Sequence, residues 1–194
     1  MTGGELWLVR HGETEWSATG RHTGLTDIDL TDDGRRHAMA LRKRLAGREF
    51  VRVLTSPSLR ARVTCELAGF AERAEVVDDL HEWDYGQDEG LTSEQIRRDV
   101  PGWTVWDPGP RGGETAAQIS ERADRVIAMA RGEQGAVLAF AHGHISRVIG
   151  ARWIGLEAID GARLKLSTAA VCVLDHERDV PAIDRWNDTG HLEE

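Results

Sequence analysis

The chain has little of what marks membrane or secreted proteins. No apolar run in its 194 residues approaches the ~20 residues that a membrane-spanning helix needs. Residues 1–5 carry neither the basic nor the apolar segment of a signal peptide. Its two cysteines, Cys65 and Cys172, lie in apolar surroundings, which predicts free buried thiols and no disulfide framework. We therefore expect a cytoplasmic protein with no membrane partner.

Lysine is also scarce, and the charge balance is acidic. Lys43 and Lys165 are the two lysines, so almost every basic residue is an arginine. The formal net charge of −9 argues against the broad basic face that general nucleic-acid binding needs. It does not argue against an anionic small molecule, because a few clustered arginines can create a local positive potential. We expect a small-molecule partner and no nucleic acid.

Strand and helix patterns alternate along most of the chain, which predicts an α/β fold. Strands are predicted at 5–9, 51–54, 76–77, 136–140, 165–174 and 181–186, and helices at 31–46, from 57, 92–99, 114–131 and 143–154. We expect a three-layer α/β/α sandwich around a mostly parallel sheet, in one domain over 1–194. The irregular stretch 78–113 is predicted to be a lid or substrate wall. The polar tail 187–194 is expected to be frayed.

Apolar periodicity also predicts the inner face of each helix. The inward residues are Ala38, Leu41 and Leu45 in the first helix, Leu59, Val63 and Leu67 in the second, and Ile119, Ala123, Val126 and Ile127 after residue 114. Ser56 is predicted to be the N-cap of the second helix, with Pro57 as its first residue. This cap would put Arg60 in the first helical turn, where anions are favoured.

Two predicted strands end in a histidine followed by a glycine. An apolar run stops at Arg10-His11-Gly12, and the strand at 136–140 leads into His142-Gly143. Arginine offers a planar donor fork suited to phosphate, and histidine is a nitrogen nucleophile or base near neutral pH. Glycine lets the backbone turn sharply and approach a ligand. These are the parts that phosphoryl transfer needs.

The sequence resembles the histidine phosphatase superfamily, in its phosphoglycerate-mutase-like branch. The matching words are Arg10-His11-Gly12, Trp16, Arg21-His22-Thr23-Gly24, Thr55-Ser56-Pro57 with Arg60, Glu82-Trp83-Asp84-Tyr85-Gly86, Gly113-Glu114-Thr115 and His142-Gly143-His144. They occur in family order between about residues 6 and 155. The resemblance implies a phosphoglycerate-mutase-like fold and a reaction through a phosphohistidine. It is closest to sedoheptulose-bisphosphatase-like and broad acid-phosphatase-like members.

Five residues are the candidate catalytic set. His11 is the expected nucleophile, with Arg10 and Arg60 as phosphate clamps. By the family pattern, His142 would contact the transferring phosphoryl group as a protonated imidazole. Glu82 matches the family's acid position, and we expect a partly protonated carboxyl group that serves as general acid and then as base.

Four further residues are candidates for substrate binding. Thr23 and Gly24 match a family loop that approaches the phosphate. Ser17 stands where mutase-like members commonly carry an asparagine, and its hydroxyl could still reach phosphate. His144 departs from the asparagine of the mutases and could touch substrate or serve the structure. Trp83, Trp103 and Trp106 could stack on a sugar ring, although each is more often a buried anchor.

We expect a metal-independent phosphomonoesterase without a cofactor, acting on a small phosphorylated metabolite such as a sugar phosphate, as a monomer or homodimer. A zinc cluster of His11, His22, His142 and His144 is disfavoured because the two arginines would repel the ion. A phosphoglycerate mutase is the first alternative. Mutases carry a longer insertion after the word that matches Glu82–Gly86, and the one basic pair of this region here, Arg97-Arg98, lies in a different context. A non-catalytic phosphate-binding module is the second alternative.

Overall fold

A six-stranded sheet organises residues 4–192, which are the part of the chain that this computed structural model describes. The strands are β1 (Leu6–Arg10), β2 (Arg52–Thr55), β3 (Ala74–Val76), β4 (Val137–Ala141), β5 (Val171–Glu177) and β6 (Val180–Asp188). Their order in the sheet is β3-β2-β4-β1-β5-β6. The four strands from β3 to β1 are parallel, and β5 runs antiparallel to β1 and β6. The predicted mostly parallel sheet is confirmed.

Helices cover both faces of this sheet. They are α1 (Glu15–Ala18), α2 (Asp32–Leu45), α3 (Leu59–Leu67), α4 (Ser93–Asp99), α5 (Ala116–Arg131) and α6 (Gly143–Trp153). Side chains alternate along a strand, so Trp7 and Val9 of β1 pack with α2 and α3. Leu6 and Leu8 point to the opposite face and pack with α5 and α6. The three-layer α/β/α fold is therefore as predicted, and the predicted inner faces of α2 and α5 are buried.

The start and inner face of α3 differ from prediction. Ser58, not Ser56, is the N-cap, and the helix begins at Leu59. Ser56 still belongs to the sheet edge, because its N–H donates to the Phe140 carbonyl at 2.9 Å. The predicted inner residues Leu59, Val63 and Leu67 are half-buried, and the buried face consists of Arg60, Ala61, Thr64 and Cys65. The two polar residues of this face, Arg60 and Thr64, suit the position of α3 beside the strand ends, where they supply hydrogen bonds.

The C-terminal part is more ordered than the sequence predicted. Strand β5 begins at Val171, and residues 165–170 form a bend before it. Asn187 accepts the N–H of Ser167 through its side-chain oxygen at 2.7 Å, which ties this bend to β6. Residues 187–192 continue β6 and a short 3₁₀ turn, so they are not frayed; residues 193–194 lie outside the described part.

The stretch 78–113 packs into the core. Trp83, Tyr85, Ile96 and Trp103 are at most 1% exposed and belong to the same apolar cluster as α5 and α6. Such burial suits a fixed wall better than a loose lid.

The structure also describes both cysteines and the length and polarity of each helix. Cys65 and Cys172 are buried and unbonded, as predicted, and burial raises the pKa of each thiol to about 12. Within residues 4–192, no helix is long and apolar enough to cross a bilayer.

Candidate active site

The candidate residues meet because three parallel strands end at one edge. Arg10 of β1 is in register with Ala141 of β4, so His11 and His142 leave the sheet side by side. The N–H of His11 donates to the Ala141 carbonyl at 3.0 Å. Ser56 leaves β2 on the other side of β4. Ligands of open α/β sheets bind at such carboxyl ends.

A cavity of about 180 Å³ opens at this edge. Its lining residues are Arg10, His11, Ser17, Gly20, Arg21, His22, Thr23, Glu82, Tyr85, Gly143, His144, Arg147 and Leu166. Three of them are arginines and one is a carboxylate. The cavity is therefore a positive site in an acidic protein, as an anionic substrate requires.

His11 is held as a neutral imidazole. Its Nδ1 lies 2.7 Å from the Gly12 carbonyl, which can only accept, so Nδ1 carries the proton and Nε2 keeps its lone pair. Burial lowers the pKa of His11 well below its usual value, and the charges of Arg60 and Arg10 lower it further. The ring is 5% exposed. It therefore has the form that a nitrogen nucleophile needs.

Gly12 fixes the turn after His11 by close backbone packing. A Cβ at Gly12 would lie 2.4 Å from the carbonyl oxygen of Gly34 in α2. The N–H of Gly12 donates to Thr64 Oγ1 of α3 at 3.0 Å. The close approach that the sequence predicted is thus to another backbone, and it connects the His11 turn to two helices.

Arg10 keeps part of its guanidinium unused. Nη1 donates to the Leu166 carbonyl at 2.6 Å, but the buried Nε has no hydrogen-bond partner within residues 4–192. A Cβ at Gly143 would lie 3.5 Å from Arg10 Nε and 3.5 Å from Glu82 Oε2, so both groups flank the start of α6. A buried donor without a partner is costly unless a ligand uses it. Arg10 therefore fits the predicted phosphate contact.

Arg60 differs from the predicted clamp. It is wholly buried and does not line the cavity. Its guanidinium donates to the carbonyls of Thr26 at 2.9 Å, Thr23 at 3.1 Å and Gly24 at 2.8 Å. Its Nε donates to His142 Nδ1 at 3.1 Å. Arg60 therefore holds the 23–26 loop and His142, and it acts on His11 through its charge.

His142 also differs from prediction, because both ring nitrogens have protein partners. Nδ1 accepts from Arg60, so Nε2 carries the proton and donates to Ser56 Oγ at 2.7 Å. Burial and Arg60 lower the pKa of His142 well below its usual value. The ring is therefore neutral and fully buried, 5.2 Å from the His11 ring between centroids, and not the protonated phosphate contact that the sequence suggested.

Glu82 caps the start of α6. Its carboxylate accepts the N–H groups of Trp83 at 2.9 Å, His144 at 2.9 Å and Ile145 at 2.9 Å. Burial raises the pKa of Glu82, but hydrogen bonds from His144, its backbone N–H among them, outweigh burial and hold the pKa well below its usual value. A helix N-terminus favours the same ionised form. This low pKa does not match the partly protonated carboxyl group expected from the sequence.

Tyr85 orients His144 in the cavity wall. The two side chains are 2.6 Å apart, from Tyr85 Oη to His144 Nδ1. Burial raises the pKa of Tyr85 well above 10 and lowers that of His144, so the hydroxyl donates to a neutral ring. His144 Nε2 then carries a proton and acts as a donor. His22 packs 4.8 Å from the Tyr85 ring, and burial lowers its pKa to about 4.

Of the other predicted binding residues, two line the cavity and one does not. Thr23 and Ser17 line the cavity, although Ser17 Oγ already serves the capping box of α1 with Thr14. Gly24 does not line it: its N–H donates to the Glu89 carboxylate at 2.9 Å and its carbonyl accepts from Arg60. Gly24 therefore takes part in holding the 23–26 loop and does not face the cavity.

The three tryptophans are anchors in this structure. The indole N–H of Trp83 donates to the Glu114 carbonyl at 2.7 Å and that of Trp103 to the Gly109 carbonyl at 2.8 Å. Trp106 packs edge-on against Trp83. None of them lines the cavity within the described residues.

Sequence reasoning did not assign a role to two lining residues, Tyr85 and Arg147. Tyr85 lies within the quoted Glu82–Gly86 word, so the motif held the signal. Arg147 lies three residues after His144 in a predicted helix, which places both on one face. That spacing was the available signal for Arg147.

Comparisons with known proteins identify the family. The model of the histidine phosphatase superfamily (branch 1) matches residues 6–189. An acid phosphatase of Mycobacterium tuberculosis is 42% identical over 190 residues, covering 96% of this chain and 93% of that protein. A sedoheptulose 1,7-bisphosphatase of Saccharomyces cerevisiae is 35% identical, covering 77% of this chain and 67% of that protein. The chain belongs to the histidine phosphatase superfamily.

A solved structure gives the same assignment for the fold. The product of an open reading frame of Mycobacterium tuberculosis superposes with a TM-score of 0.90 at 39% identity, covering 97% of this chain and 99% of that one. The family and the fold predicted from the sequence are confirmed, and so is the prediction of a phosphatase-class enzyme.

Proposed function

We propose that the protein is a metal-independent phosphomonoesterase that works through a phosphohistidine on His11. The observation that carries this proposal is the state of His11, a neutral ring whose Nδ1 is tied to Gly12. It shares a small cavity with Arg10, whose buried Nε has no partner in residues 4–192. The pair supplies a nucleophile and a cation for the phosphoryl oxygens.

The first step is attack of His11 Nε2 on phosphorus. The P–N bond forms while the bond from phosphorus to the ester oxygen breaks, and the leaving oxygen takes a proton. Arg10 and the N–H of His144 Nε2 stabilise charge on the phosphoryl oxygens. Arg60 does not touch the substrate: it keeps the 23–26 loop in place, binds His142, and lowers the pKa of His11 through its charge.

Glu82 carries the proton in both steps. Its carboxylate is ionised without substrate, and a bound phosphate dianion raises its pKa because two negative charges then lie close together. The carboxyl group gives its proton to the leaving oxygen. In the second step a water attacks phosphorus, the P–N bond breaks, and Glu82 takes the proton from that water.

The substrate is a small phosphorylated metabolite, and a sugar phosphate is the preferred class. Relatives named as an acid phosphatase and a sedoheptulose 1,7-bisphosphatase support this choice. The cavity of about 180 Å³ is of a size for a small ester. Thr23 and Ser17 complete its polar wall. We propose that 78–113 acts as the substrate wall of one domain, since Glu82 and Tyr85 belong to it.

The test is phosphate release from sugar phosphates, glycerol 3-phosphate, 3-phosphoglycerate and p-nitrophenyl phosphate, with EDTA present. Glu82→Gln should slow glycerol 3-phosphate by about 10²–10³-fold. It should slow p-nitrophenyl phosphate far less, because that leaving group needs little protonation. Equal losses would contradict the role of Glu82. Label moving within phosphoglycerate without release would instead identify a mutase, and binding without either reaction would identify a non-catalytic module.

A further inference from the structure

Arg147 is a charged residue of the cavity that the two proposed chemical steps do not use. It lies on α6, three residues after His144 and four after Gly143. Four residues of α-helix rise by about 6 Å, and residues at this spacing share one face. Arg147 therefore lines the cavity about one helical turn beyond the end where Arg10 and Glu82 flank Gly143.

The side chain of Arg147 is anchored from one side. Nε donates to the Gly161 carbonyl at 3.0 Å and Nη2 to the Ala162 carbonyl at 3.0 Å. The guanidinium carbon lies 4.7 Å from the centroid of the Trp106 ring. Gly161 permits this packing, since a Cβ there would lie 2.9 Å from the Trp106 ring. The cation is thus held in one position before any ligand arrives.

One edge of that cation remains available. Nη1 has no hydrogen-bond partner within residues 4–192, and no carboxylate of this part pairs with Arg147. The Glu82 carboxylate is already satisfied by three backbone N–H groups. A fixed arginine with a free edge in a cavity is suited to a planar or tetrahedral anion.

We propose that Arg147 binds a second anionic group of the substrate, a carboxylate or a second phosphate, about one helical turn from the phosphoryl group that His11 attacks. The inference rests on the proposed function and narrows its substrate class to phosphate esters that carry a second anionic group. Arg21 also lines the cavity, but it is exposed and its side chain has no hydrogen-bond or ion-pair partner within residues 4–192, so ordering it costs more entropy.

The experiment compares matched pairs of esters that differ in the second anion. 3-Phosphoglycerate with glycerol 3-phosphate tests a carboxylate, and fructose 1,6-bisphosphate with fructose 6-phosphate tests a second phosphate. The quantity measured is the ratio of kcat/KM within each pair. The wild-type protein should favour the member with the second anionic group in at least one pair, and the pair that shows this preference identifies the anion.

Arg147→Met should lower that ratio by about tenfold or more, because one charge-assisted contact is lost. The ester without a second anionic group is the internal control for folding, because a misfolded variant loses both members alike. Arg147→Lys should keep part of the preference. Arg152→Met is the matched control, since Arg152 lies on the same helix but pairs with Asp124 at 2.9 Å outside the cavity.

The outcomes separate this inference from the proposed function. An unchanged ratio, or equal losses on both esters of each pair, would overturn the role of Arg147 while phosphate release still supported the phosphatase. A wild-type protein without any preference would overturn it as well. No release from any ester, including p-nitrophenyl phosphate, would contradict the proposed function and this inference with it.

Discussion

Two arginine–histidine pairs meet at the sheet edge, and they differ in what their hydrogen-bonding groups are left to do. In the front pair, Arg10 and His11, the buried Nε of the arginine has no partner in residues 4–192 and the histidine keeps a free Nε2. In the back pair, Arg60 and His142, both nitrogens of the histidine ring have hydrogen-bond partners in the protein. The arginine guanidinium donates four hydrogen bonds to protein atoms. Both pairs line up at the same edge, but only the front pair lines the cavity.

The difference teaches that residue type does not decide a role in this site. An arginine whose donors are satisfied by backbone carbonyls adds charge and rigidity, and it has little left for a ligand. A histidine between two partners is fixed in one tautomer. This difference supports the proposal that the front pair reacts with the substrate and that the back pair positions it.

The largest expected effect separates the two histidines. His11→Asn should lower kcat by about 10⁴-fold or more, because it removes the ring nitrogen that we propose forms the P–N bond. His142→Asn should lower it at least tenfold less, since the amide can still accept from Arg60. Phosphate release under single-turnover conditions measures both. Equal losses of kcat in the two variants would contradict the proposed difference between the front pair and the back pair.

Substitution of Arg10 should mainly lower kcat/KM, whereas substitution of Arg60 should mainly lower the unfolding free energy. Arg10→Met should lower kcat/KM by about 10²–10³-fold and leave the unfolding free energy nearly unchanged. Arg60→Met should lower the unfolding free energy by about 3 kcal/mol or more, because it leaves buried acceptors unpaired. Urea unfolding and initial rates on each variant are the measurements. If the Arg60→Met protein were as stable as the wild type and only its KM rose, the predicted role of Arg60 as a phosphate clamp would be supported instead.

The cavity wall should make stability depend on pH through His22. Its folded pKa of about 4 lies below the unfolded value of about 6.5, so the unfolded state binds the proton first as pH falls. The stability present above pH ~6.5 is therefore lost on the way down to pH ~4, by about 2–3 kcal/mol for this group. His22→Asn should flatten this loss in urea unfolding at pH 7 and pH 4.5. An unchanged slope would show that other groups carry it.

The smallest effect concerns the contact behind His142. Ser56→Ala removes the hydroxyl 2.7 Å from His142 Nε2 and should lower the unfolding free energy by about 1–2 kcal/mol. The rate should change less than tenfold, because the ring keeps Arg60. Ser58→Ala is the matched control, since Ser58 gives α3 no side-chain cap and its hydroxyl only accepts a long hydrogen bond of 3.4 Å from Ser56 Oγ, so its loss should matter less. Equal effects would mean that the hydroxyl does not hold His142.

Much of the fold could be predicted from local pattern. The strand at 136–140, the inner faces of α2 and α5 and the α/β layers follow from apolar periodicity, which needs only neighbouring residues. The start of α3 could not be predicted so well. Ser56-Pro57 has the local signature of a cap, but a partner on β4 holds Ser56 in the sheet edge.

The residues of the site could be named from the sequence, but the tasks of several could not. His11 and Arg10 carry their chemistry in their type and in their place after an apolar run. The ionised state of Glu82 depends on N–H groups about 60 residues away, and the satisfied state of Arg60 depends on a loop about 35 residues away. Such partners come together only when the strands pair and α6 is laid over the sheet. Local order therefore specifies which groups are present, whereas tertiary contacts decide which donors and charges remain free to meet a ligand.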